Sequence, residues 1–125
     1  MVENGKKILI VEDEPEIANV LKMRLEANNY QILLAEDGVE GLNKARTEKP
    51  DLIVLDIRLP KLDGFKVSRM LKFDEKYAKI PIIMLTARVQ QADVEQGMDA
   101  GANAYMTKPY KAEDLLAKIK ELIGS

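Results

Sequence analysis

Five short apolar runs punctuate the chain: Ile8 to Val11, Gln31 to Ala35, Leu52 to Leu55, Ile80 to Leu85 and Ala104 to Met106. The first, third and fourth are almost continuously apolar and rich in Ile, Val and Leu. A run without polar alternation predicts a strand covered on both faces, the habit of a parallel sheet. The second and fifth runs are weaker, which places them nearer the sheet edges. Between the runs the period changes to that of a helix. Ile17, Leu21 and Leu25 recur every four residues, with Val20 on the same broad face. Pro15 suits the first turn of that helix, where its missing N–H costs nothing, and Asp13 is the candidate cap. A shorter helix spans roughly Val39 to Glu48, approached by Asp37-Gly38, slightly weakened by Gly41 and ended by Pro50. A third runs from about Gly64 into Phe73, capped by Asp63, with Val67, Met70 and Leu71 towards the core. A fourth is expected near Gln90 to Ala100, closed by Gly101 in a left-handed C-cap. The last helix is the clearest, with Leu115, Leu116, Ile119, Leu122 and Ile123 on one face.

Five strand–helix units in 125 residues predict one α/β domain over residues 1–125, a doubly wound five-stranded parallel sheet with helices on both faces. A dinucleotide-binding half does not fit. The turn after the first run reads Glu12-Asp13-Glu14-Pro15, without glycine, and its negative charge repels a pyrophosphate. A P-loop is absent for the same reason.

Composition narrows the chemistry. Nineteen Lys and Arg nearly cancel twenty-one Asp and Glu, for a formal charge of −2. Such a surface offers no bulk attraction to nucleic acid or to an anionic membrane, so neither is an expected direct partner. The chain has no Cys and no His. A thiolate nucleophile, a Ser-His-Asp triad and a Cys- or His-liganded metal are therefore excluded. Any metal site must be built from oxygen, which favours Mg²⁺, with Mn²⁺ as a substitute. No apolar run approaches a membrane span, and the N-terminus lacks the pattern of a signal peptide, so a cytoplasmic location is the expectation.

In an open parallel sheet the reactive crevice lies beyond the C-terminal strand ends. The first run ends in Glu12 and Asp13, the third in Asp56, the fourth in Thr86 and the fifth near Lys108. Carboxylates converging on one rim repel each other unless a cation intervenes. A divalent ion is the economical answer. Glu12, Asp13 and Asp56 would supply two or three ligands, directly or through water, and a backbone carbonyl such as that of Arg58 would add another. Helix capping accounts for Asp13 alone, but not for Asp56, Thr86 and Lys108 together.

With these residues in place, the chain resembles the receiver domain of bacterial two-component response regulators, of the CheY-like kind. The matching pieces are Ile-Val-Glu12-Asp13, Val-Leu-Asp56-Ile-Arg-Leu-Pro60-Lys-Leu-Asp63-Gly64, Leu-Thr86-Ala87, and Gly101-Ala-Asn-Ala-Tyr105-Met-Thr-Lys108-Pro109-Tyr110. They cover essentially the whole chain, and the resemblance implies a (βα)5 flavodoxin-like fold. It implies that Asp56 accepts a phosphoryl group from a histidine kinase or a histidine phosphotransfer protein. Glu12, Asp13, Asp56 and the carbonyl of Arg58 would hold Mg²⁺. Lys108 would bind one phosphoryl oxygen, and Thr86 another, with the N–H of Ala87 as a further donor. The resemblance also implies a cis Lys108–Pro109 bond and a Thr86–Tyr105 switch pair. That pair would remodel the face formed by the fourth helix, fifth strand and fifth helix. Tyr110 is a weaker candidate for partner contact.

The departures from the family pattern carry their own expectations. Glu12 stands where many relatives have Asp, so altered metal affinity rather than loss is expected. Arg58 and Arg88 flank the path of the hydrolytic water and would lengthen the life of the phosphoaspartate. Ala104 stands where the winged-helix subfamily commonly has an Asp in a dimer ion-pair network. The expectation is therefore a monomer or a weak, phosphorylation-dependent dimer. Output would pass to a downstream protein target or to an effector domain of a longer protein; the start and compact end slightly favour a single-domain protein. The chemistry would be self-phosphorylation and slow self-hydrolysis rather than enzymatic turnover. Two other readings compete: a small Mg²⁺-dependent aspartyl-phosphate phosphatase, and a phosphorylation-independent interaction module. The first lacks a second acid two residues after Asp56, and a cap. The second is disfavoured by the intact set of Asp13, Asp56, Thr86 and Lys108.

Overall fold

The computed structural model describes residues 5–86, 100–107 and 110–124, Thr86 by its backbone. Five strands form one sheet: β1 (Lys7–Val11), β2 (Gln31–Ala35), β3 (Leu52–Asp56), β4 (Ile82–Thr86) and β5 (Ala104–Thr107). All neighbours run parallel, in the order β2-β1-β3-β4-β5. The weaker runs, β2 and β5, are indeed the edges. The described helices are α1 (Pro15–Glu26), α2 (Gly38–Glu48), α3 (Gly64–Lys72) and a C-terminal helix, Ala112–Ile123. The helix expected near Gln90 to Ala100 lies outside the described residues except for Ala100; Gly101 after it has φ +91°, the conformation expected of it.

Alternation along the central strands divides the core in two. Leu9, Val11, Ile53, Leu55, Ile82 and Met84 face one side, where Leu42 and Ala45 of α2 and Phe65, Val67 and Leu71 of α3 cover them. Ile8, Ile10, Leu52, Val54, Ile83 and Leu85 face the other, under Leu21 and Leu25 of α1 and Leu115 and Ile119 of the C-terminal helix. This is why the three central runs read as unbroken apolar sequence: both faces of each strand are buried. Two side chains of α3 tie the helix to later segments of the chain. The buried Ser68 hydroxyl donates to the Ala100 carbonyl at 2.8 Å. The Lys72 ammonium donates to the carbonyls of Ala78 and Ile80 at 3.0 and 2.7 Å, and burial pushes its pKa down.

Two local expectations need correction. Val20 is 58% exposed rather than in the core; it lines an open groove with Ile17, Leu21, Arg24 and Tyr110. Met70 is 43% exposed, because α3 buries Val67, Ser68 and Leu71, a stripe from which Met70 is rotated away. The end of α2 before Pro50 is as expected. The helix ends one residue earlier at Lys49, whose φ of 47° is left-handed and whose N–H still bonds the Ala45 carbonyl.

Gly41 is more than a weak helix former. A Cβ at this position would lie 2.8 and 2.9 Å from the two γ-carbons of Val11. The glycine lets α2 approach β1 closely beside the strand end that leads into Glu12. For Gly41→Ala, helix propensity alone favours the alanine by about 1 kcal/mol. Overpacking against a short, buried Val side chain costs about 1–3 kcal/mol and should dominate. Urea unfolding is therefore expected to show a net loss of stability; a gain would mean that α2 shifts outward freely.

Candidate functional site

The register that pairs Val11 with Leu55 brings the next residues, Glu12 and Asp56, level at the C-terminal end of neighbouring strands. β1 lies between β2 and β3, so the chain reverses its direction of growth across the sheet at this point, where open α/β sheets bind ligands. Glu12, Asp13 and Asp56 each offer a carboxylate oxygen, and these atoms lie within 4.8 Å of one another. Glu12 and Asp56 are buried, and Asp13 is exposed.

Backbone hydrogen bonds hold the cluster. The Glu12 N–H donates to the Ala35 carbonyl at 3.0 Å. Its carboxylate Oε2 accepts the Glu14 N–H at 3.1 Å. This turn starts α1 and corrects the expected cap: Glu14, not Asp13, is the N-cap residue, and it makes no side-chain cap bond. Asp13 is thus available to the cluster. The loop after Asp56 closes through the Gly64 N–H to the Ile57 carbonyl at 2.8 Å, while the Ile57 N–H donates to the Leu85 carbonyl. The Arg58 N–H reaches Asp56 Oδ1 at 3.4 Å. Asp63 is the expected cap of α3: its Oδ1 accepts the Lys66 N–H at 3.0 Å.

Three carboxylates at this spacing, two of them buried, repel one another and favour a cation between them. The donors are all hard oxygens, and one of the three, Asp13, is exposed. Those features fit Mg²⁺ better than a softer ion.

The remaining candidates divide. Thr86 ends β4, the strand beside β3, its backbone in register with Thr107 at the end of the edge strand β5. The Thr86 side chain, Ala87, Arg88, Lys108 and Pro109, with the expected cis Lys108–Pro109 bond, lie outside the described residues. Tyr105 is half-buried on β5, in register with Met84 and packed against the α2–α3 side of the core. Tyr110 is half-buried on the opposite side. Read from spacing alone, Asp37-Gly38 is only the approach to a helix, which misses how α2 meets the site loop. Asp37 caps α2 and lies 3.5 Å from the Lys61 ammonium.

The sequence profile of the response regulator receiver domain matches residues 8–120. The chain belongs to this family. Receiver domains are not classical enzymes; their family chemistry is to accept and lose a phosphoryl group on themselves. The chain is 46% identical over 119 residues to the alkaline phosphatase synthesis transcriptional regulatory protein PhoP of Bacillus subtilis, covering 95% of this chain and 49% of that protein. It is 44% identical to the transcriptional regulator RpaA of Synechocystis, covering 94% of this chain and 48% of that protein. The receiver domain thus spans about half the length of these curated relatives. Among solved structures, the receiver domain of the sensor histidine kinase PA1611 from Pseudomonas aeruginosa superimposes with a TM-score of 0.89 at 37% identity, covering 97% and 99% of the two chains. That structure holds a magnesium ion in its active-site cleft. A receiver domain from a Syntrophus aciditrophicus histidine kinase gives a TM-score of 0.90 at 36% identity, covering 96% and 91%. Among the described residues of this receiver domain, no helix is long and apolar enough to cross a membrane.

Two carboxylates beside the site titrate low. The Glu40 N–H and then the Lys61 ammonium hold Asp37 below its ordinary value. The Glu36 N–H and Lys44 do the same for Glu40. A folded pKa below the unfolded one contributes stability that is complete above the ordinary carboxylate range. It is lost as pH falls through the lowered values. Urea unfolding followed against pH should show this acid limb. It should be shallower in Asp37→Asn, which keeps a capping side chain but removes one titrating group.

Proposed function

We propose that this receiver domain takes a phosphoryl group onto Asp56 from a phosphohistidine on a histidine kinase or phosphotransfer protein, and thereby changes its affinity for a downstream partner. The observation that carries the reading is the convergence of Glu12, Asp13 and Asp56 at the sheet's switch point. A carboxylate oxygen of Asp56 attacks phosphorus, the phosphorus–nitrogen bond breaks, and the imidazole leaves. An anionic nucleophile meets an anionic phosphoryl group here, so neutralising and aligning charge is most of the catalysis. A bound Mg²⁺, or Mn²⁺ in its place, supplies part of that neutralisation. Glu12, Asp13, Asp56 and the Arg58 carbonyl are the residues that would hold it. Lys108 binds a phosphoryl oxygen, and the Thr86 hydroxyl and Ala87 N–H bind another.

Phosphorylation then draws Thr86 towards the site and lets Tyr105 turn inward, a local electrostatic event that biases two packings of one face. Arg58 and Arg88 shield the phosphoaspartate from water. The output is a protein target or an effector domain, as the transcriptional regulators among its relatives suggest, and direct nucleic-acid binding by this domain is not part of the reading. The domain acts as a monomer or as a weak dimer formed on phosphorylation.

Intact-protein mass after incubation with Mg²⁺ and acetyl phosphate tests the core of this reading. One added phosphoryl group, about 80 Da, is expected in the parent and absent in Asp56→Asn. Equal labelling of both would remove Asp56 from its role. Timing the loss of that mass tests the shielding: Arg88→Ala should shorten the phosphoryl lifetime, and an unchanged decay would remove Arg88 from the account.

A further inference from the structure

The loop 57–63 carries the one proposed metal ligand that is a backbone carbonyl, that of Arg58. Such a ligand can be aimed only by fixing its loop. Among the described residues, no backbone N–H donates to the Arg58 carbonyl. Among the described residues, hydrogen bonds hold the loop at its base, where the Ile57 N–H also donates to the Leu85 carbonyl, and at its far side. At its base, the Gly64 N–H bonds the Ile57 carbonyl at 2.8 Å. At its far side it is held by α2. The Gly38 N–H donates to the Pro60 carbonyl at 3.2 Å, and the Leu62 N–H donates to the same carbonyl at 2.7 Å. The Lys61 ammonium lies 3.5 Å from Asp37 Oδ2, while Asp37 Oδ1 caps the helix through the Glu40 N–H.

Two features show how tightly the parts fit. A Cβ on Gly38 would lie 1.8 Å from the Leu62 carbonyl oxygen and 2.6 Å from its carbon, separations no real side chain adopts. The obstacle is backbone, so relief would require moving the loop or the helix. Lys61 has a φ of 70°, a left-handed conformation that a non-glycine residue holds only when its surroundings impose it.

We infer that Asp37, Gly38 and Lys61 form a clasp between α2 and the loop 57–63, and that they are positioning residues for the Arg58 carbonyl and hence for the divalent cation. The inference rests on the phosphoacceptor reading of the site. Gly38 sets the distance between helix and loop. The Asp37–Lys61 pair closes the outer side of the contact. The same carboxylate starts the helix, so the start of α2 and the path of the loop are set together.

Calorimetric titration of Mg²⁺ into the parent, Gly38→Ala, Ile119→Ala and Lys61→Asp, with urea unfolding of each in the absence of metal, tests the clasp. Gly38→Ala should bind Mg²⁺ about tenfold more weakly, the scale of losing an outer-shell support. Ile119→Ala opens a cavity under the C-terminal helix, on the sheet face opposite α2, and should lose stability while keeping the parent's affinity. Lys61→Asp retains a residue that tolerates the left-handed backbone and adds a negative charge. Long-range electrostatics alone would make it bind Mg²⁺ more tightly; the clasp predicts weaker binding, and this variant decides the matter if Gly38→Ala does not fold. A parent that binds no Mg²⁺ overturns the phosphoacceptor reading and the clasp together. A parent that binds, with Gly38→Ala unchanged or Lys61→Asp tighter, overturns the clasp alone. Equal losses of affinity in Gly38→Ala and Ile119→Ala would also overturn it, since the effect would then track stability.

Discussion

Glu12 and Asp56 are buried carboxylates at adjacent strand ends, with Asp13 completing a cluster whose oxygens lie within 4.8 Å. Burial and mutual repulsion both disfavour three negative charges in this arrangement. The arrangement persists because the rest of the fold holds the strand ends in place; among the described residues, backbone N–H groups of the turns that follow those strands also donate to the cluster. The Glu14 N–H on Glu12 and the Arg58 N–H near Asp56 are of that kind. The same repulsion is what makes the cluster a ready host for a hard divalent cation. Stability given up at this rim is thus the source of the site's chemistry.

What offsets that cost is the two-sided core. Each central strand contributes apolar side chains to both faces, so β1 and β3 cannot slip in register without pushing several of them out of place. A slip of one residue would also part Glu12 from Asp56. Register for packing and register for chemistry are therefore the same constraint. The helices add a second level of precision through close approach, with Gly41 admitting Val11 and Gly38 admitting the backbone at Leu62. Both contacts lie on α2.

Much of this was legible in the sequence. Unbroken apolar runs named the central strands, and the weaker runs named the edges. Asp63 reads as a helix cap from its place before Gly64, and it caps α3 as expected. The acidic residues were legible as a site because their positions at strand ends make sense only if the strands are parallel neighbours. Other readings failed for a common reason. Val20 and Met70 satisfy helical spacing as well as their buried neighbours do, and periodicity alone does not say how wide the buried stripe is. Asp13 reads as a cap because it precedes Pro15 by two residues, yet the helix begins one residue later and the turn's hydrogen bond is accepted by Glu12.

Sequence by itself determined the alternation of strands and helices, the all-oxygen chemistry, and the identity of the acidic residues at the rim. These come from local spacing and from residue types that are present or wholly absent. Only the tertiary structure decided that Glu12, Asp13 and Asp56 stand within ion-binding distance, that Gly38 and Gly41 are places of close contact rather than weak points in a helix, and that Lys61 reaches Asp37. Each of these joins residues distant in the chain through the sheet register and the seating of α2. Such contacts depend on how whole elements pack, and no window of neighbouring residues encodes that packing.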